Sequence, residues 1–135
     1  MATLIKGKNL RASTTYEPGI DHYQGICSST VKNLDPPFTM QHAVIPPGHK
    51  GRAHYHINAA RGTYILKGRL RFFFGPEHDQ QVMDCDVGDF VYTARGEIHN
   101  AINLSATEPA EIISVYVGAA DREATGKVFV EPVLK

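Results

Sequence analysis

The sequence predicts an all-β fold, an antiparallel sandwich or barrel with little or no helix. Three observations predict it. The chain's 12 Gly and 8 Pro are spread along its 135 residues rather than gathered in a linker. Between them lie short segments of alternating polarity, rich in the Val, Ile, Phe, Tyr and Thr that suit a pleated, half-buried surface. No long stretch carries a helical period.

The elements follow in order. Residues 39–45 alternate, with Thr39, Gln41, Ala43 and Ile45 on one face and Met40, His42 and Val44 on the other. Segments 63–66 and 69–74 flank Lys67-Gly68 and predict a hairpin. Phe72, Phe73 and Phe74 put rings on both faces of the second segment, so that strand is expected to be covered on both sides, by the core and by a loop or a second subunit. Segments 80–83, 89–93, 98–102, 111–117 and 128–130 complete the series. In 89–93, the face carrying Phe90, Tyr92 and Ala94 is assigned to core packing. Residues 119–124 are the best helical candidate and allow about one turn. With no internal repeat or low-complexity segment, one domain is drawn over 1–135, its core at about 38–118 between flanking strands.

Composition removes several functions. Fourteen basic and fourteen acidic residues give a net charge of +0, so neither nucleic acid nor an anionic membrane gains a general attraction. No apolar run is long enough to span a bilayer, and the first residues hold no continuous apolar segment of a cleaved signal. Cys27 and Cys85 lack metal-site or redox spacing and are read as reduced thiols, which places the chain in the cytoplasm. A Walker loop, a GxGxxG and a GxSxG are absent.

Seven His are many for this length. His54-Tyr55-His56 on a strand would point both imidazoles to one face, where they can reach one ion. Gly48 lies six residues before His54, and Gly68 follows; Gly88, Gly96, His99 and Asn103 then repeat the logic of strand, Gly turn and His. These residues resemble the two motifs of the cupin family. Gly48, His54, His56 and Gly68 fit G-x5-HxH-x3,4-E-x6-G; Gly88, Gly96, His99 and Asn103 fit G-x5-PxG-x2-H-x3-N, with Ala94 in the Pro position. The resemblance spans about 44–103 and implies a single-domain jelly-roll β-barrel of the cupin 2 type. It further implies that His54, His56 and His99 bind one divalent transition metal, Fe, Mn, Zn, Ni or Cu. The alternative is hydrogen-bonded His in a barrel without metal.

One departure stands out. Where the family places a Glu ligand this chain has Arg61, or Ala60 at the shorter spacing. Arg stays protonated and cannot ligate. Arg61 is then open to three readings: turned away from the cavity, paired with a carboxylate such as Glu97 or Asp89, or facing the pocket to hold an anionic substrate group. His42 is a candidate fourth ligand or proton-transfer group, or else a sheet-face His. His49 is placed in a loop at the barrel mouth, Tyr64 on the face opposite Arg61, Glu97 at the rim, and Asn100 and Asn103 in turns around the site; His22 and His78 carry no signal.

The resulting expectation is a metal-dependent cupin enzyme, an oxidoreductase of dioxygenase type. It would act on a small anionic or enolisable substrate, with Arg61 and His42 as catalytic candidates. Some cupin dioxygenases likewise use three His without the Glu. A cupin isomerase or lyase, and a non-catalytic small-molecule binder or sensor, are the alternatives. The resemblance and the Phe72–Phe74 run also imply a homodimer.

Overall fold

The computed structural model describes residues 2–13, 17 and 19–130; the ends of the span drawn over 1–135 lie outside the described residues. It is nearly all β. The described residues form ten strands: β1 (Asp21–Ile26), β2 (Phe38–Ile45), β3 (His54–His56), β4 (Ala60–Lys67), β5 (Leu70–Phe74), β6 (Gln81–Cys85), β7 (Phe90–Thr93), β8 (His99–Asn103), β9 (Ala110–Val117) and β10 (Lys127–Phe129). Two short 3-10 turns, Gly7–Asn9 and Glu123–Thr125, are the helical elements described. The second falls at the end of the segment expected to make one turn.

The strands make two five-stranded antiparallel sheets, ordered β1-β2-β9-β4-β7 and β10-β3-β8-β5-β6. The chain crosses repeatedly between them, so sequence neighbours often sit in opposite sheets, the wrapping of a jelly roll. This corrects the hairpin expected at Lys67-Gly68, because β4 and β5 lie in different sheets. The turn is a corner. Gly68 takes φ +84°, and a Cβ there would lie 2.9 Å from the Ala110 backbone, so the chain crosses at a point of close backbone approach.

The space between the sheets changes character along the strands. On β4 the inward series is Arg61, Thr63, Ile65; on β9 it is Tyr116, Ser114, Ile112, paired across in that order. Ile65, Leu70, Phe72, Ile112 and Ile45 fill one end with apolar side chains. At the other end the inward positions are polar. There the alternation on β2 holds as read, with Thr39, Gln41, Ala43 and Ile45 buried.

Two expectations are overturned by this inversion of polarity. His42 lies on the outer face of β2, where its Nε2 donates to Glu111 Oε1 at 2.7 Å and its ring stacks on Tyr23, so it does not face the cavity. Phe90 and Tyr92 are 81% and 70% exposed on β7, an edge strand, while Val91 and Thr93 point inward. The Phe run on β5 shows a milder version: Phe72 and Phe74 are buried and Phe73 is only partly covered.

Asn103, the last residue of the second motif, ties the far end together. The two N–H groups of its buried amide are shared among the carbonyls of Ile45, Pro46 and Glu108, which lie 3.2, 3.1 and 2.9 Å from Nδ2, and its Oδ1 accepts from the Ser105 amide. Removing it leaves several buried groups without a partner. We expect Asn103→Ala to lower stability by about 2–3 kcal/mol at an unchanged m-value in urea unfolding. A loss within the scatter of a surface substitution would refute this role.

Candidate metal centre

Period-two geometry places the three His. His54 and His56 alternate with Tyr55 on β3 and are both buried. His99 opens β8 and is the direct register partner of His54. Gly96, in the turn before β8, donates its amide to the His56 carbonyl at 2.8 Å and so fastens the second motif to the first. That turn departs from the family pattern in a compensated way. Ala94 carries an N–H that Pro would lack, and it donates this to Glu97 Oε1 at 3.0 Å. Glu97 therefore closes the turn.

Each imidazole is held by its Nδ1. His54 Nδ1 lies 2.7 Å from the Arg52 carbonyl, and His99 Nδ1 lies 2.9 Å from the Glu97 carbonyl. A carbonyl only accepts, so both Nδ1 atoms carry the proton. His56 Nδ1 lies 3.0 Å from Thr125 Oγ1, whose own hydroxyl donates to the Arg122 carbonyl at 2.6 Å. That hydroxyl proton is engaged, so His56 Nδ1 is again the donor. Each Nε2 is thereby left unprotonated, with its lone pair available.

These atoms converge. One ligand atom from each ring falls within 4.8 Å of the other two. The Nε2 atoms of His56 and His99 are buried and have no hydrogen-bond partner in the protein. Three neutral imidazoles with fixed tautomers and unused lone pairs are the donor set that Zn, Fe, Cu, Ni or Mn accepts, so the residues present fit a metal ion.

Charge follows from burial and neighbours. Burial lowers the pKa of His56 to about 3 and of His99 to about 4, with Arg61 the largest charged contributor for both. His54 is pushed well below its ordinary value by burial and then by His99. A cavity of about 50 Å³, room for a few waters or a small ligand, opens beside His54 and His99.

Arg61 lines that cavity, so of its three readings the outward one fails. The paired one fails as well. Among the described residues no carboxylate reaches it, Glu97 serves Ala94, and Asp89 accepts from the Asp86 amide. Its Nε and Nη2 donate to Ser114 Oγ at 3.3 and 3.0 Å, and its guanidinium lies 5.5 Å from the Tyr116 ring centroid. Asn100 donates to the Gly51 carbonyl at 3.3 Å, supporting the wall rather than the ligand set. Tyr64 faces outward against Phe90. His49 sits at the cavity wall, 3.6 Å from Glu17.

Sequence reasoning missed His22, Arg122 and Lys127, all of which line the cavity. His22 is buried, and its pKa falls to about 3 through burial, then Arg122, then Arg61. Burial lowers Lys127 to about 8, partly opposed by Glu17, whose Oε2 lies 3.7 Å away. None of the three belongs to a motif. His22 sits on β1, which Gly25 and a bulge between Gln24 and Ile26 hide from an alternation search.

Comparisons place this geometry among known proteins. Residues 41–116 match the family model described as "Cupin domain". No curated protein matches. Solved structures do. The polyketide cyclase RemF from Streptomyces resistomycificus superposes with a TM-score of 0.74 at 18% identity, over 97% of this chain and 88% of that one. An oxalate oxidase in complex with the substrate analogue glycolate gives 0.73 at 17%, over 94% and 63%. An oxalate decarboxylase of Bacillus subtilis gives 0.74 at 17%, over 96% and 34%. This chain thus spans about three fifths of the oxidase and a third of the decarboxylase, and at these identities the likeness shows the fold.

The buried His predict a pH response of the metal-free protein. Unfolded His takes a proton near pH 6.5, whereas the folded groups resist one down to about pH 4 or below. Their stabilising contribution is full above 6.5 and is lost as pH falls from there toward the folded values. We expect the Tm of chelator-stripped protein to fall steadily between about pH 6.5 and 4. A flat Tm across that window would contradict the neutral, buried assignment.

Proposed function

The chain belongs to the cupin family, and from that premise we propose that it is a metal-dependent enzyme of small-molecule metabolism, an oxidoreductase of dioxygenase type. The observation that carries the reading is the convergence of three buried imidazoles, one ligand atom of each within 4.8 Å of the others, beside a small cavity. His54, His56 and His99 would hold one divalent transition metal. When bound, that metal supplies a Lewis-acidic and, for Fe, Mn or Cu, redox-active centre with positions open to substrate.

The chain's own residues do the rest. The Arg52 and Glu97 carbonyls and the Thr125 hydroxyl hold the imidazoles in register, so little reorganisation is needed on loading. Arg61, steadied by Ser114, binds and orients an acidic or enolised group. His54, His56 and His99 are buried, which lowers the local dielectric and strengthens each of these interactions. The narrow cavity fits a small molecule and excludes a polymer. His42, on the outer face, has no part in this.

Two coarser features accompany the proposal. Cys27 and Cys85 are buried free thiols, in keeping with a reducing, cytoplasmic setting, and among the described residues no helix is long and apolar enough to cross a membrane. We propose a homodimer as the working assembly. Its support is the pair of rings exposed on β7, Phe90 and Tyr92, and no longer the Phe72–Phe74 run.

Purified protein is expected to carry close to one transition metal per chain, and His54→Ala, His56→Ala and His99→Ala each to lose most of it. Metal far below stoichiometry in the parent, unchanged in the variants, would end the metalloenzyme reading. The Fe(II)-loaded protein is then expected to consume dioxygen with members of a panel of small 2-oxo and 1,3-dicarbonyl acids. Metal uptake without oxygen consumption would redirect the function to a non-oxidative or purely binding cupin. For the assembly, light scattering of Phe90→Ser/Tyr92→Ser is expected to show a drop from dimer to monomer mass; an unchanged mass would place any interface elsewhere.

A further inference from the structure

The position that carries a carboxylate ligand in the family carries a fixed cation here, and that cation faces the three His. Ser114 Oγ takes two of the guanidinium's five N–H groups, from Nε and Nη2. Three N–H groups on Nη1 and Nη2 remain for an occupant of the cavity. Among the described residues no carboxylate of the protein neutralises Arg61. Arg122 and Lys127 line the same cavity, and among the described residues Glu17 is the acidic one that lines it, 3.7 Å from Lys127 Nζ. Arg61 therefore puts on the wall a positive charge that no described carboxylate offsets, and the three imidazoles contribute no negative charge to offset a dication. Bringing a metal to such a wall is opposed by repulsion that burial strengthens. An anion between Arg61 and the imidazoles removes the opposition.

We propose that a divalent metal and a small carboxylate bind here as a coupled pair, with Arg61 as the coupling residue. One carboxylate oxygen accepts the free N–H groups of Arg61, and the other faces the point enclosed by His54, His56 and His99. The ligand thereby provides the negative charge that the family's Glu provides from the protein. The inference rests on the metal reading above and deepens it, since it assigns the substrate class: a small carboxylic acid whose acid group sits at the metal rather than at the cavity mouth. By linkage, each partner raises the affinity of the other by the same factor.

The test is a Co(II) titration of the metal-free protein followed by its visible absorption, with and without malonate, correcting free Co(II) for its malonate complex. Malonamide, of similar size but uncharged, is the control. We expect malonate to tighten Co(II) by about fivefold or more, Co(II) to tighten malonate by the same factor in calorimetry, and malonamide to do nothing. Arg61→Gln is expected to retain Co(II) and lose the malonate effect. Arg61→Glu is expected to bind Co(II) more tightly than the parent and to be indifferent to malonate. The reciprocal measurement on the parent decides the matter even if a variant fails to fold. Co(II) binding that ignores malonate overturns the coupling and leaves the metal site standing, as does coupling that persists at full strength in Arg61→Gln. Failure to take up Co(II) under any condition overturns both.

Discussion

His54 and His99 stand opposite each other across β3 and β8, and that pair is the joint on which the candidate site depends. β3 is three residues long, and its described pairing to β8 is this one position. The junction is completed by the Gly96 amide on the His56 carbonyl and, ahead of β3, by the Lys50–Ile102 bridge and the Gly51 amide on the Ala101 carbonyl. Within that joint, the Nδ1 atoms of His54 and His99 bond carbonyls two residues back in their own segments, which fixes their tautomers. Fold and site are thus not separable here, because a strand shifted by one residue would turn both β3 His to the other face.

The electrostatic state of the cavity follows from that joint. Four His are buried within reach of Arg61, Arg122 or Lys127, and burial together with those charges keeps them neutral well below pH 6.5. Neutral imidazole is the form that ligates, so the cations that oppose a dication also keep its ligands deprotonated. The two effects oppose each other. A site of this kind retains lone pairs at acidities where exposed His would be protonated, and a metal bound there would rely on something other than the described carboxylates for balance.

Much of the barrel was legible because strands announce themselves with period two and the turns with Gly and Pro. His54, His56 and His99 were legible because their spacing follows from strand geometry and from the motifs that resemble the family's. Alternation, however, defines two faces without saying which is inside. The usual assumption, apolar inward, failed on β7 and is equally unsafe on β2, for one reason: the cavity end of the sandwich is lined with polar groups. Thr39 and Gln41 point in while Met40 and His42 point out; Thr93 points in while Phe90 and Tyr92 point out. Topology was less legible still. Lys67-Gly68 has the composition of a tight hairpin, yet the close approach of Ala110 makes it a corner between sheets, and that contact is 42 residues away in sequence.

Arg61 shows what local reading can and cannot reach. Its position was fixed by motif spacing alone, and its chemistry, a cation where a ligand carboxylate stands in the family, was plain in the sequence. Its direction was not, because that depends on Ser114, 53 residues away on β9, accepting two of its N–H groups. The register of β4 against β9 places Arg61 opposite Tyr116 and Thr63 opposite Ser114, so the hydroxyl reaches the guanidinium diagonally across the inner face. A single Oγ thereby orients a charge that would otherwise seek solvent. An Arg that reached the mouth of the barrel could be dismissed as a surface substitution at a lapsed motif position. One held by Ser114 against the Tyr116 ring lines the same cavity as His54 and His99, and under the proposed coupling the loss of the Glu would be a change of ligand rather than the decay of a metal centre.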